Sequence, residues 1–274
     1  MQYIKKNHPY HIVDLSVWPL AVSFSLLLSA FAAAMLIHNY YYTISKITLW
    51  GGILCLLYSL FRWWYDIIKE AMLEKQHTKE VQCSLRIGMI IFILSEIAFF
   101  ACLFGSFFYN KLFPVGILEE VWVAHKGTWP PAGIITPDPW SIPLLNTMIL
   151  LLSSTTVSWA HYAIIEDNQE VTVKTLGYTV LLGIFFILMQ IFEYTHLPFK
   201  FTDGIYASNF YIITGAHGLH VILGVIFLAV CYFRAKKGHF IKPNNCLNFE
   251  FAVWYWHFVD VIWLFLFIFV YVLS

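Results

Sequence analysis

Charge is scarce in this chain: Lys, Arg, Asp and Glu make up 12% of the residues, about half the share of a soluble domain. The 16 basic and 16 acidic residues balance to a formal net charge of +0. That balance leaves no electrostatic footprint for a nucleic-acid partner. Cysteine is sparse and unpatterned, with Cys55, Cys83, Cys102, Cys231 and Cys246 scattered and no CxxC or CxxxC. Neither a disulfide framework nor a thiolate metal site follows, and buried or interfacial thiols are expected. An HExxH motif, a phosphate loop and a nucleophile motif are also missing. The chain shows no internal repeat, no low-complexity tract and no matched pair of Gly/Pro-broken segments of the kind transporters carry.

What is present is apolar surface. Hydrophobic residues make up 60% and aromatics 19% of the 274 residues, which marks an integral membrane protein, and the continuity of its apolar runs makes it all-α. Seven runs reach spanning length, at about 15–37, 45–65, 85–108, 143–165, 175–193, 209–233 and 251–273. The second and fifth lie near the lower limit of about 17 residues. The runs are continuous rather than alternating, so seven transmembrane helices are predicted and not a barrel. The first run follows Lys5 and Lys6 and holds small residues at 29–34, as a signal peptide would. Its length predicts a retained span instead.

Basic residues set the expected orientation. With the N-terminus inside, 12 of the 16 Lys and Arg residues fall on the inner side and four on the outer. The positive-inside rule then places the N-terminus inside and the C-terminus outside. An outer loop at 111–141 is rich in turn formers, and an inner segment at 65–82 is strongly charged and predicted to extend a helix along the interface. The expected organisation is one membrane domain, 1–274, with a first two-helix bundle at 1–65, a charged inner connection at 66–84 and a five-helix bundle at 85–274.

Glu96 sits in the third run, roughly 16 Å of helix from its start. In a hydrocarbon core about 30 Å thick that is close to the midplane. An ionisable group there marks a functional or a pairing site. The plainer reading is a protonated Glu96 that hydrogen-bonds a neighbouring helix.

Histidines supply the other candidates. His217 and His220 lie three apart on the sixth span and share a face with Gly224, where another backbone could approach. His257 and Asp260 lie three apart on the seventh, at similar depth. Two readings stand: a metal or haem site, or a polar clasp between helices six and seven. No dedicated ligand spacing favours the first. Near the inner boundary, Arg62, Trp63, Trp64, Tyr65 and Asp66 suit a lipid headgroup site or a plain aromatic belt. Glu193 and His196 close the fifth span, His161 anchors the fourth beside Trp159, and His8 and His11 precede the first.

Eight stretches in order resemble subunit III of the haem–copper cytochrome c oxidases. They are WPL (18–20), RWWYDIIKE (62–70), HTKEVQCSLRIGMIIFILSEIAFF (77–100), WPPAGI (129–134), DPWSIPLLNTMILLLSS (138–154), WAHYAIIE (159–166), the run 201–234 and WYWHFVDVIWLFLF (254–267). The resemblance implies two bundles, helices one and two against helices three to seven, with a V-shaped cleft that holds phospholipids. It matches Glu96 to the family's carbodiimide-reactive intramembrane glutamate. It places Trp64, Glu70, His77 and Arg234 where relatives meet lipid headgroups.

The resemblance further implies a non-catalytic chain with no metal and no cofactor of its own, which stabilises the core and supports proton uptake. Haem a and copper belong to the partner subunits I and II, and further accessory subunits and a respiratory supercomplex are implied partners. The richness in Phe, Ile, Tyr and Lys favours the mitochondrial inner membrane, with the N-terminus in the matrix and the C-terminus in the intermembrane space; a bacterial plasma membrane is the alternative. The related quinol oxidase subunit typically has five spans, so the two extra N-terminal helices favour the cytochrome c branch. Departures from the family pattern fall at FFACLFGSFFY, which lacks a tryptophan, at the alanine of GAHGLH and at FEFAVWYW.

Overall fold

The computed structural model describes residues 10, 15–72, 78–113, 129–131, 133–238, 240 and 246–273. Seven helices of these residues are long and apolar enough to cross a membrane. They are α1 (Trp18–Ile37), α2 (Tyr42–Met72), α3 (Lys79–Leu112), α4 (Ile142–Ile165), α5 (Gln169–His196), α6 (Ile205–Lys236) and α7 (Leu247–Leu266). A π-helical segment, Phe267–Val272, continues α7.

Helix ends follow local chemistry. Proline stands in the first turn of α1 and of α4, where its missing N–H has no helical partner to lose. Asn168 caps α5 by accepting from the Val171 N–H at 3.2 Å. Gly204, at φ 121°, precedes α6 in a backbone region that only glycine enters freely. The short spans expected at 45–65 and 175–193 prove too short: α2 has 31 residues and α5 has 28. Hydropathy falls off at the interface, but Arg, Lys and Glu are good helix formers and carry the helix past the apolar run. The charged stretch after Tyr65 is helical through Met72.

The chain divides into two compact units, Met1–Leu85 and Arg86–Ser274. In the first, α1 and α2 pack against each other along small residues. Ser25 and Ala32 are the buried residues of α1, and Ser45, Gly52 and Ser59 those of α2. Each set repeats every seven residues, the spacing of a seam between two slightly supercoiled helices. Gly52 makes the contact close, because a Cβ there would stand 2.5 Å from Ser29 Oγ and 3.2 Å from its backbone nitrogen. The Ser25, Ser29 and Ser45 hydroxyls donate to backbone carbonyls at 2.7–2.8 Å, so the seam buries no orphaned hydroxyl there.

The second unit is built the other way, around large rings. Trp256, Trp263, Tyr206, Phe107, Phe186 and Phe210 are all less than 2% exposed. Gly224 does not admit a neighbouring backbone as expected; it makes room for the Trp256 side chain. A Cβ at Gly224 would lie 2.8 Å from that ring, and one at Gly183 would lie 2.9 Å from it. The Trp256 indole thus fills a slot between α5 and α6, and its N–H donates to Ser153 Oγ on α4 at 3.0 Å. Cys231 and Cys246 are buried, and Cys55, Cys83 and Cys102 are exposed.

A candidate functional site at the intramembrane polar residues

Glu96 lies midway along α3, where its carboxyl meets His220 midway along α6, with His220 Nε2 and Glu96 Oε2 2.8 Å apart. The other imidazole nitrogen, Nδ1, lies 2.7 Å from the Ala216 carbonyl. A carbonyl only accepts, so Nδ1 carries a proton. One further proton then lies between Nε2 and Oε2, as an ion pair when nitrogen holds it and as a neutral pair when oxygen does. The pair has no net charge in either arrangement, which removes most of the cost of an isolated charge at this depth. Phe99 and Phe100 flank the imidazole with ring centres 6.0 and 4.9 Å away, and Tyr255 stacks at 6.4 Å.

The remaining polar residues join other helices. His217 is 1% exposed and donates from Nε2 to the Val259 carbonyl of α7 at 3.2 Å. His257 places Nδ1 2.8 Å and Nε2 3.3 Å from Ser154 and Ser158 of α4. Ser154 also donates to Asp260 Oδ2. Its single proton is therefore committed, and His257 Nδ1 donates to Ser154 Oγ. His220 and His257 do not meet. The expected clasp of helices six and seven is spread over three contacts: α3 to α6 through Glu96/His220, α6 to α7 through His217, and α4 to α7 through His257 and Asp260. Depth and spacing put the residues on facing helices, but which neighbour each rotamer reaches depends on helix rotation.

The residues matched to lipid contacts differ in their surroundings. Trp64 is exposed at 57% and Glu70 is half-buried. Arg234 is buried at 8% exposure, with its guanidinium 5.0 Å from the Phe240 ring centre. His77 lies outside the described residues, as do His8 and His11. His161 sits 6.0 Å, ring to ring, from Phe249.

Two polar links escaped the sequence reading. Arg86 on α3 donates from Nε and Nη2 to Glu250 on α7 at 3.1 and 3.3 Å, a two-pronged ion pair across 164 positions. In the first unit, the Trp18 indole N–H donates to Asp66 at 2.6 Å, and the Arg62 guanidinium lies 5.5 Å from the Trp18 ring centre. The first pair could have been sought as opposite charges at the ends of two spans. The second carries no sequence signal beyond interfacial aromatics.

Seven apolar helices whose intramembrane polar groups are turned onto one another define a multi-pass, all-α membrane protein. The model of the family described as cytochrome c oxidase subunit III matches residues 8–274. A probable cytochrome c oxidase subunit 3 of Rickettsia felis is 56% identical over 272 residues, covering 99% of this chain and 97% of the relative. Cytochrome c oxidase subunit 3 of Prototheca wickerhamii is 46% identical over 258 residues, 94% of this chain and 95% of the relative. That of Oncorhynchus mykiss is 46% identical over 256 residues, 93% and 94%. The chain belongs to the cytochrome c oxidase subunit III family.

Proposed function

We propose that this chain serves as the non-catalytic third subunit of a cytochrome c oxidase, the respiratory complex that reduces oxygen with electrons from cytochrome c and pumps protons. The observation that carries the reading is a family match over residues 8–274, which runs through every span. Subunits I and II are its partners and hold the haem a and copper; accessory subunits and a supercomplex extend the assembly. The chain stabilises that core, holds phospholipids through Trp64, Glu70, His77 and Arg234, and supports proton uptake on the inner side. His217, His220, His257 and Asp260 act as polar ties between helices, each meeting a hydrogen-bonding group of another helix.

The basic residues support an N-terminus on the inner side, which is the matrix side of a mitochondrial inner membrane or the cytoplasmic side of a bacterial plasma membrane. Relatives from a bacterium and from eukaryotes suit either membrane. Protease cleavage near Lys242 from the inner face is the expected outcome, and cleavage from the outer face would refute the orientation.

The decisive test of the oxidase reading is an optical spectrum of the complex purified gently through a tag on this chain, before and after the chain is dissociated. Haem a absorbance that copurifies and then stays with the partners is expected. An intact preparation without haem would overturn the reading in favour of an independent carrier that uses Glu96, and haem retained by the isolated chain would make it a redox protein.

A further inference from the structure

A second buried polar cluster, in the larger unit, is untouched by this reading. Asn146 on α4, Gln190 and Glu193 on α5, and Tyr271 in the π-helical segment after α7 are each more than nine-tenths buried. Asn146 Nδ2 donates to Gln190 Oε1 at 3.3 Å, and Gln190 Nε2 donates to Glu193 Oε2 at 3.2 Å. The Tyr271 hydroxyl lies beside Gln190 and Glu193 without completing a hydrogen bond of regular geometry to either. Among the described residues, Asn146 Oδ1, Glu193 Oε1 and the Tyr271 hydroxyl have no hydrogen-bond partner. Unpaired buried polar atoms are rare and costly, and three in one cluster call for a common partner.

Donor counting says what that partner is. With Glu193 ionised, Asn146 Oδ1 and the Glu193 carboxylate oxygen only accept, and Tyr271 has one proton to give. Two acceptors cannot satisfy each other, and one phenolic proton cannot serve both. A water molecule donates twice and accepts from the phenol, making about three hydrogen bonds, the usual number for a buried water. A hard cation would require about six oxygens, twice what the three atoms offer. Packed rings and a hydrogen bond brace the site. The Tyr271 ring packs edge-on to Phe210 at 5.4 Å and against Trp263 at 5.9 Å, and Trp263 donates to Thr147, the neighbour of Asn146, at 2.9 Å. A π-helical segment carries Tyr271, and such insertions re-aim side chains and gather at functional sites.

We infer that Asn146, Glu193 and Tyr271 form a binding site for one ordered water, which latches the π-helical end of α7 to α4 and α5. The inference rests on the geometry of this cluster and not on the oxidase assignment. A structure of the intact complex, at a resolution that shows ordered water, tests it together with infrared spectra of the same preparation. Density within about 3 Å of all three oxygens is expected. The Glu193 carboxyl band, assigned by its loss in Glu193→Gln, should shift in Tyr271→Phe, and the density should weaken there. A direct hydrogen bond between these side chains with nothing between them, or an amide arrangement of Asn146 and Gln190 that satisfies Glu193 unaided, would overturn the site. So would density with about six short oxygen contacts, which marks a cation, or a carboxyl band that ignores Tyr271→Phe.

Discussion

The two units of this chain solve the same problem with opposite materials. In a membrane, water no longer drives apolar side chains together, because lipid tails are as apolar as leucine. Helices must then associate through close packing or through hydrogen bonds. The first unit uses closeness: Ser25, Ala32, Ser45, Gly52 and Ser59 form its buried seam, and the large side chains of α1 and α2 point outward. The second uses bulk and polarity, burying Trp256 and Trp263 with His217, Asp260 and Glu193. A seam of small residues leaves most apolar surface facing away from the pair, where lipid or a partner subunit can cover it. A core of rings leaves less to cover, and its packing must be more exacting.

The contrast breaks most sharply at Trp256. Trp256→Ala empties the slot between Gly183 and Gly224 and strips Ser153 of a donor, which should cost about 3–5 kcal/mol of stability. Thermal release of this chain from the solubilised complex, or denaturant unfolding of the chain in lipid, reads the loss. A variant as stable as the natural protein would mean that the rings of the second unit fill space without holding it.

The first unit offers a matched pair one residue apart. A Cβ at Gly52 meets Ser29, including its backbone nitrogen at 3.2 Å, whereas a Cβ at Gly51 meets nothing within 4 Å. Gly52→Ala should destabilise the α1/α2 pair by about 1–3 kcal/mol through overpacking, and Gly51→Ala should be neutral or slightly favourable. Protease susceptibility of the turn between the two helices measures both. Equal behaviour would remove closeness as the principle of this unit.

The sequence shows these two solutions unevenly. Seven spans are legible because hydropathy alone decides them, and Glu96 stands out because charge is scarce at mid-depth. The ends of α5 are not legible, because the helix continues through charged interfacial residues that hydropathy counts as loop, whereas the charged extension of α2 past Tyr65 is legible. The seam at 25, 32, 45, 52 and 59 is written in the sequence as two heptad-spaced sets of small residues, but small residues within apolar runs are common enough to hide it. Partners of the histidines are the least legible. His220 turning to Glu96, and His257 to Ser154, depends on rotations of whole helices that no local pattern encodes. Arg86 and Glu250 lie 164 positions apart, and the cluster around Tyr271 depends on a π-helical segment without a sequence signature.

Polar links sharpen the comparison further, since they sit at different depths in the two units. The Glu96/His220 pair is at mid-helix, where no water competes. Glu96→Leu leaves Nε2 of His220 without its partner and should cost about 0.6–2 kcal/mol. Glu96→Gln keeps a donor for Nε2, so stability should change by less. Oxygen reduction by the assembled complex should stay largely intact in Glu96→Gln, because the proposed role gives Glu96 no contact with a redox centre. Complete loss of activity with normal assembly would overturn that role.

The smallest effect belongs to the link at the end of the first unit. Trp18 opens α1 and Asp66 lies near the end of α2, so their hydrogen bond sits at a helix end, where water and lipid headgroups can replace either partner. Trp18→Phe keeps a ring against Tyr58, whose centre lies 6.2 Å from that of Trp18, and removes the N–H while trimming the indole that faces Arg62. The expected cost is about 0.5–1 kcal/mol, the low end for a hydrogen bond open to competition. Comparing Trp18→Phe with Glu96→Leu in one unfolding assay separates depth from bond type. A Trp18→Phe effect as large as that of Glu96→Leu would show that the first unit depends on its terminal link as much as on its seam, and that small residues alone do not hold α1 to α2.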